Sequence, residues 1–303
     1  MILLDGKELA SKIKAEIAKE VAEMIDNGQR APHLAAVLVG ENPASQTYVA
    51  SKEKNSREVG IISSVYRYPE TIKEKELLEV VDFLNLDHDV DGFIVQLPLP
   101  KHINEQKIIE RISPSKDVDG FHPENLGRMM LGIPTLLPAT PMGILTLLER
   151  YQIETAGKHC VVLGRSHIVG TPVSILLSRK ASPGNCTVTL CHSFTGNIPG
   201  ITREADILIV AMGRKHFVTR EMVKKGAVVI DVGMHRITDD SKKSGFRLTG
   251  DVDFDQVAGK CSYITPVPGG VGPMTIVSLL QNTLKAGTTG QADKRTSGQA
   301  DKR

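Results

Sequence analysis

Between Gly6 and Gly28, the residues Leu9, Ile13, Ile17, Val21 and Met24 recur at three- or four-residue steps with lysines and glutamates between them. That period predicts an amphipathic helix. His33–Val39 is an almost unbroken apolar run, which predicts a buried strand, and Gly40-Glu41-Asn42-Pro43 predicts a turn. Ser45 is expected to cap a helix that continues to about Val59, followed by a strand over Ile61–Tyr66 and a helix over Lys73–Leu86. Asp91–Gln96 reads as a strand that Leu97-Pro98-Leu99-Pro100 must end. This β-α-β-α-β alternation implies a parallel sheet, and residues 1–140 are expected to form an α/β domain of their own. Pro123–Leu131 predicts a short helix. Pro134, Pro138 and Pro141 predict a stiff connection, and Met142–Tyr151 a helix into the second half.

The second half is organised around Lys158–Leu177. Cys160–Leu163 reads as a buried parallel strand, and Gly164, Arg165, Ser166 and His167 form a turn that Gly170 closes. Thr171 is expected at the N-cap and Pro172 at the first helical position, with Val173, Leu176 and Leu177 on one face. Strand, glycine turn and helix open a mononucleotide-binding unit, because backbone N–H groups and the helix dipole favour a phosphate there. The glycine spacing departs from G-x-G-x-x-G, and a turn that binds nothing has the same pattern. The next strand, Cys186–Cys191, ends in His192-Ser193, where an NAD site usually carries a carboxylate for the ribose 2′-hydroxyl. A hydroxyl and a histidine there, with Arg165 in the first turn, suit a 2′-phosphate and predict NADP. Further strands are expected at Ile207–Ala211, Ala227–Val232 and Tyr263-Ile264. Gly213 and Gly233 follow two of them, where ligands of such sheets collect. Thr265–Pro273 is too rich in proline and glycine for regular structure, and a last helix is expected over Met274–Lys285. From Ala286 the chain is polar and repeats Gly-Gln-Ala-Asp-Lys-Arg, so residues 287–303 are expected to be a disordered tail.

Composition narrows the function classes. The 303 residues suffice for two α/β domains, and a formal net charge of +2 gives no electrostatic case for nucleic acid. No apolar run is long enough to span a membrane, nothing at the start resembles a signal peptide, and the four cysteines form no C-x-x-C pair. A reduced, cytoplasmic protein is expected. His122, His167 and His192 lack ligand-like spacing, so no metal is expected.

Tyr48 and Lys52 share a helical face as a Tyr-x-x-x-Lys pair, a pattern that a solvated lysine beside a half-exposed tyrosine also produces. They precede the glycine turn on a different domain, so a site shared with a cofactor has to be the cleft between domains. Gln96 closes a strand at the ligand-collecting edge, Asp117 and Asp119 flank a turn, and Pro268–Pro273 is a constrained glycine-rich loop of the kind that lines ligands.

Taken in order, Tyr48-Val49-Ala50-Ser51-Lys52, Val95–Pro100, Lys116–Gly120, Gly164-Arg165-Ser166 with Ile168–Gly170, Cys191-His192-Ser193 and Thr265–Thr275 resemble the bifunctional methylenetetrahydrofolate dehydrogenase/cyclohydrolase family. The resemblance runs from about residue 2 to residue 285. It implies oxidation of 5,10-methylenetetrahydrofolate by NADP+ and hydrolysis of the methenyl product to 10-formyltetrahydrofolate, within the one-carbon metabolism that feeds purine and amino-acid synthesis. It implies that Lys52 is the central catalytic group, that Tyr48 orients the folate, that Gln96 tunes the lysine and that Asp119 anchors the pterin. Val95, Leu97, Pro268, Gly269 and Gly270 are implied on the folate side. Gly164, Arg165, Ser166, His192, Ser193, Gly213, Gly233 and Met234 are implied on the cofactor side, with Arg165 and Ser193 on the 2′-phosphate. Met234 stands where an isoleucine is common. The family fold implies two α/β domains, residues 1–140 for folate and catalysis and 141–270 as a Rossmann-type NADP domain. Residues 271–286 are then a helix returning to the first domain. It also implies a homodimer without metal. A dehydrogenase without hydrolase activity, a different NADP-dependent dehydrogenase using Tyr48 and Lys52, and a non-catalytic dinucleotide sensor are the other readings of the same residues.

Overall fold

The computed structural model describes residues 1–239, 241 and 245–300, and of 291–300 the backbone alone. In chain order the elements are β1 (Ile2–Leu3), α1 (Gly6–Asp26), β2 (His33–Val39), α2 (Pro43–Glu58), β3 (Ile62–Tyr68), α3 (Glu74–Leu86), β4 (Gly92–Val95), α4 (Glu105–Arg111), α5 (Pro123–Met130) and α6 (Ala139–Arg150). They continue as β5 (His159–Leu163), α7 (Gly170–Ser178), β6 (Thr187–Cys191), α8 (Ile198–Thr202), β7 (Ile207–Val210), β8 (Val228–Asp231), β9 (His235–Thr238), β10 (Phe246–Thr249), α9 (Phe254–Val257), β11 (Tyr263–Ile264) and α10 (Val271–Ala300). The chain divides into two compact units, one of Lys12–Ala139 with the chain from Ile276 onward, the other of Met1–Ser11 with Thr140–Thr275.

In the first of these units a three-stranded sheet has the order β3-β2-β4, with both pairings parallel. Six of the seven β2 residues are buried, which is why its apolar run is continuous. Val37, Phe93, Leu77, Val81 and Ile108 form part of its core. The chain leaves β2 for β3 on one side and returns to β4 on the other, so the strand order reverses at β2. Ligands bind beyond the carboxyl ends of strands at such a reversal. There α2 starts and β4 gives way to Gln96. The cap of α2 differs from expectation. Asn42, not Ser45, is the N-cap, its side chain accepting from the Ala44 and Ser45 N–H groups, and Pro43 takes the first turn. Ser45 is buried inside the helix instead.

In the other unit six parallel strands take the order β1-β11-β8-β7-β5-β6. Its core includes Val161, Leu163, Leu208, Val210 and Val229. The order reverses at β5, which lies between β6 and β7. Residues 1–11 belong here and not to the expected 1–140 domain, because β1 adds to the sheet through backbone bonds, Ile2 N–H to Ser262 O at 2.7 Å and Leu4 N–H to Ile264 O at 2.8 Å. A two-residue strand has no side-chain period to reveal it.

The last helix also departs from expectation. It begins at Val271, not Met274, since Pro273 within a first turn forfeits no helical hydrogen bond. It runs to Ala300, so the backbone is helical where a disordered tail from 287 was expected, and residues 301–303 lie outside the described residues. The Asn282 amide in α10 donates to Val118 O and Leu137 O, both at 2.8 Å.

Candidate active site

Lys52 comes from the middle of α2 and is 4% exposed. Its Nζ donates to Gln96 Oε1 at 3.3 Å, lies 3.8 Å from Asp119 Oδ1, and sits 5.0 Å from the centre of the Tyr48 ring one turn earlier on the helix. Burial pushes the Lys52 amine below the ordinary lysine range, and the Asp119 carboxylate opposes that shift. Gln96 is held on both sides. Its N–H continues the β4–β2 ladder to Val37 O at 2.9 Å, and its Nε2 donates to Leu97 O at 2.7 Å, which turns Oε1 toward the lysine. Val95 is buried and Leu97 half-buried beside it.

The two aspartates of the Lys116–Gly120 turn divide the work. Asp117 builds the turn. Its carboxylate accepts from Gly120 N–H at 3.1 Å, His122 N–H at 2.7 Å and Asn125 Nδ2 at 2.9 Å, and burial pushes it above the usual carboxylate range. Asp119 faces Lys52. Gly120 has φ of +75°, and a Cβ there would lie 2.5 Å from the Leu137 carbonyl carbon, so only glycine fits.

On the nucleotide side, Gly164 has φ of +108° and approaches β7 so closely that a Cβ would lie 2.1 Å from Ala211 O. This leaves the crevice beyond β5 open to a ligand's phosphates. Leu163 and Cys191 are register partners, so Arg165 and Ser193 each lie two residues past adjacent strand ends, and both are exposed. The helix start differs from the expected Thr171 cap. α7 begins at Gly170, and Ser166 Oγ accepts from Val169 and Gly170 N–H at 3.1 and 3.4 Å, while Thr171 Oγ1 donates to Arg165 O. His192 Nδ1 accepts from Phe194 N–H at 3.2 Å. Gly213 (φ +64°) and Gly233 follow β7 and β8, and Met234 is 56% exposed. An arginine, a hydroxyl and glycine-permitted close approach at a sheet's reversal point fit a phosphorylated dinucleotide.

Residues 4–119 match the tetrahydrofolate dehydrogenase/cyclohydrolase catalytic domain, and residues 138–291 match the NAD(P)-binding domain of the same family. The chain belongs to the tetrahydrofolate dehydrogenase/cyclohydrolase family. The bifunctional protein FolD of Porphyromonas gingivalis is 62% identical over 284 residues, which are 94% of this chain and 96% of that one. The crystal structure of the FolD dehydrogenase/cyclohydrolase of Campylobacter jejuni is 48% identical with a TM-score of 0.89, covering 95% of this chain and 99% of that one. The methylenetetrahydrofolate dehydrogenase-cyclohydrolase of Trypanosoma brucei, solved with NADP and an inhibitor, is 38% identical with a TM-score of 0.90, covering 95% and 98%.

Within this family fold, Tyr48, Lys52, Gln96 and Asp119 converge in one unit. Pro268, Gly269 and Gly270 belong to the other, where Gly269 O accepts from Lys7 N–H at 2.9 Å and Gly6 lies so close that its Cβ would be 1.8 Å from Gly270 O. The sequence reading missed Asp231, His235 and Asp251, which end β8, open β9 and follow β10. The aspartate ending the apolar strand Val228–Asp231 was the signal that could have found them.

Proposed function

We propose that Lys52 is the acid–base group of the hydrolytic step and that Gln96, Asp119 and Tyr48 set its position and charge. The protein oxidises 5,10-methylenetetrahydrofolate to the methenyl compound with NADP and hydrolyses that product to 10-formyltetrahydrofolate. When bound, NADP+ supplies the hydride acceptor. The observation that carries the role of Lys52 is its burial with one neutral acceptor at 3.3 Å and one carboxylate at 3.8 Å. A desolvated amine of lowered pKa gives up its proton more readily than an exposed lysine, which frees it to act as a base.

The methenyl group is a cation, so hydrolysis needs placed water and proton handling. The neutral Lys52 amine takes a proton as the water oxygen bonds to the one-carbon unit. The carbon–nitrogen bond then breaks as the protonated amine returns a proton to the departing nitrogen, and the hydroxyl left by the water releases its remaining proton to solvent as the formyl carbonyl forms. Gln96 Oε1 fixes the amine by accepting from it, and Asp119 stabilises the ammonium between the two transfers and anchors the pterin. Tyr48 orients the folate, with Val95 and Leu97 lining it.

Arg165 and Ser193 hold the 2′-phosphate of the cofactor, and Gly164, Ser166, His192, Gly213, Gly233 and Met234 line the rest of it. The protein works in the cytoplasm as a homodimer, supplying one-carbon units for purine and amino-acid synthesis. Sedimentation equilibrium checks the dimer, and a monomer mass would contradict it. The test of the central reading follows methenyl absorbance on purified protein. Methylenetetrahydrofolate with NADP+ should raise it, and added methenyltetrahydrofolate should decay faster with wild type than with Lys52→Met. Equal decay would remove Lys52 from the mechanism.

A further inference from the structure

Two buried carboxylates stand behind the turns that follow β7 and β8. Asp251 has no exposed surface. Its Oδ2 accepts from Met212 N–H at 2.7 Å and Gly213 N–H at 2.9 Å, and its Oδ1 accepts from His235 Nε2 at 2.7 Å. Asp231, 4% exposed, accepts at Oδ1 from Gly233 N–H at 2.9 Å and Asp251 N–H at 3.0 Å, and at Oδ2 from Val252 N–H at 2.9 Å. The backbone comes so close that a Cβ on Gly233 would lie 2.4 Å from Asp251 Cγ, and one on Gly250 1.8 Å from Asp231 Oδ2.

An apolar side chain would fill this space without the cost of burying charge, but it would leave the five backbone N–H groups that these carboxylates accept from unpaired. What a carboxylate adds is aim, since it fixes the direction of each N–H that points at it. Asp251 bonds the turn after β7 directly, and reaches the segment after β8 through His235 and through contact with Gly233. We propose that Asp251 is a positioning residue for the cofactor, holding the turns of Gly213 and of Gly233-Met234 in the shape that receives NADP, with His235 and Asp231 fixing Asp251 in turn. The inference rests on the reading that these turns line the cofactor. Burial pushes the Asp231 carboxyl up to about 6 against its backbone N–H donors, a measure of how dry this support is.

The test is NADP+ binding by calorimetry on full-length protein, with methenyltetrahydrofolate hydrolysis measured in the absence of NADP+. Asp251→Ala strands two turn N–H groups and should weaken NADP+ binding by about tenfold or more, while hydrolysis stays within about twofold. Asp251→Asn keeps an oxygen for both N–H groups and offers an amide to the other tautomer of His235, so it should recover most of the affinity. His235→Ala removes one bond at a partly exposed ring and should weaken binding severalfold, on the order of 1 kcal/mol or less in free energy, and it serves where Asp251→Ala fails to fold. Unchanged NADP+ affinity in Asp251→Ala or, where that does not fold, in His235→Ala would overturn the proposal. So would a loss of hydrolysis and melting temperature in parallel with affinity. Met234→Glu separates the two levels. If it leaves NADP+ affinity unchanged, the turn does not line the cofactor and the site reading fails. If it weakens binding while the Asp251 and His235 variants do not, the positioning role alone fails.

Discussion

Lys52 bears a cost of burial that its proposed catalytic role would explain. A fully buried amine with partners at 3.3 and 3.8 Å is incompletely compensated for the water it has lost. Lys52→Met should therefore lower methenyltetrahydrofolate hydrolysis by about 10²–10⁴-fold, reduce the dehydrogenase less, and raise the melting temperature by a few degrees, on the order of 1 kcal/mol. The pH dependence follows from the sign of the shift. The folded amine titrates below its unfolded value, so the unfolded chain binds the proton more tightly. The penalty is present at neutral pH and fades as pH rises toward about 10.4. Melting curves of both proteins should accordingly converge at alkaline pH, and a variant less stable than wild type at pH 7 would contradict the account. Arg165 is exposed at a strand end beside Ser193, and charge-assisted contacts to a phosphate contribute roughly 1.5–3 kcal/mol. Arg165→Ala should raise KM for NADP+ about tenfold or more and leave NAD+ use nearly unchanged. An equal loss with both cofactors would show that Arg165 shapes the turn instead.

At the scale of elements, α2 carries Lys52 and the Gly164 turn shapes the end of β5. Asn42 accepts two N–H groups at the start of α2, and Asn42→Ala should cost about 1 kcal/mol, read as a lower denaturant midpoint with an unchanged slope. The lysine sits more than two turns further on, so hydrolysis by the folded variant should stay near wild type. Gly164→Ala has no such tolerance. A Cβ at φ +108° and 2.1 Å from Ala211 O forces the ends of β5 and β7 apart at the crevice beyond β5, the proposed cofactor site. NADP+ binding should fall at least tenfold, an estimate from the several kcal/mol that strained backbone costs, and wild-type affinity by calorimetry would refute it. The strong elements were legible because buried parallel strands leave an unmistakable mark. β2, β5, β7 and β8 are unbroken runs of valine, leucine, isoleucine, alanine and cysteine, apart from the histidine that opens β2 and β5 and the aspartate that ends β8. α4 and the β9–β10 hairpin were not foreseen, since a seven-residue helix holds too few periods and the hairpin's faces alternate only between half-buried and exposed.

Across the whole molecule, the division into units falls inside α1, α6 and α10 and not between elements. Chain order alone assigned residues 1–140 to one domain; with β1 paired into the other sheet, the first eleven residues belong to the other unit. The same holds at the far end. Ala286 is buried and a Cβ on Gly287 would meet Pro32 and Asp91, so the packed part of α10 reaches past the 286 boundary read from polarity. Truncation after Gly290 should leave the melting temperature within about 2 °C of full length and both activities intact, whereas truncation after Leu284 should cost several degrees. A large loss on removing 291–303 would show that the repeat contributes to folding.

The sequence by itself determined the long buried strands, the helices that alternate with them and, through their order, the parallel sheets. Hydrophobic period and glycine placement are local, and motif order ties the chain to its family. Tertiary structure alone decided which of two neighbouring aspartates faces Lys52, because Asp117 and Asp119 differ only in which direction the turn sends them. It decided that Asn42 caps α2 and Ser45 does not, a matter of one turn in where the helix starts. It also decided that Asp231, His235 and Asp251 form one network, joining residues up to 39 positions from the backbone N–H groups they hold. Those choices depend on hydrogen-bond direction between segments distant in the chain, and periodicity carries no information about direction.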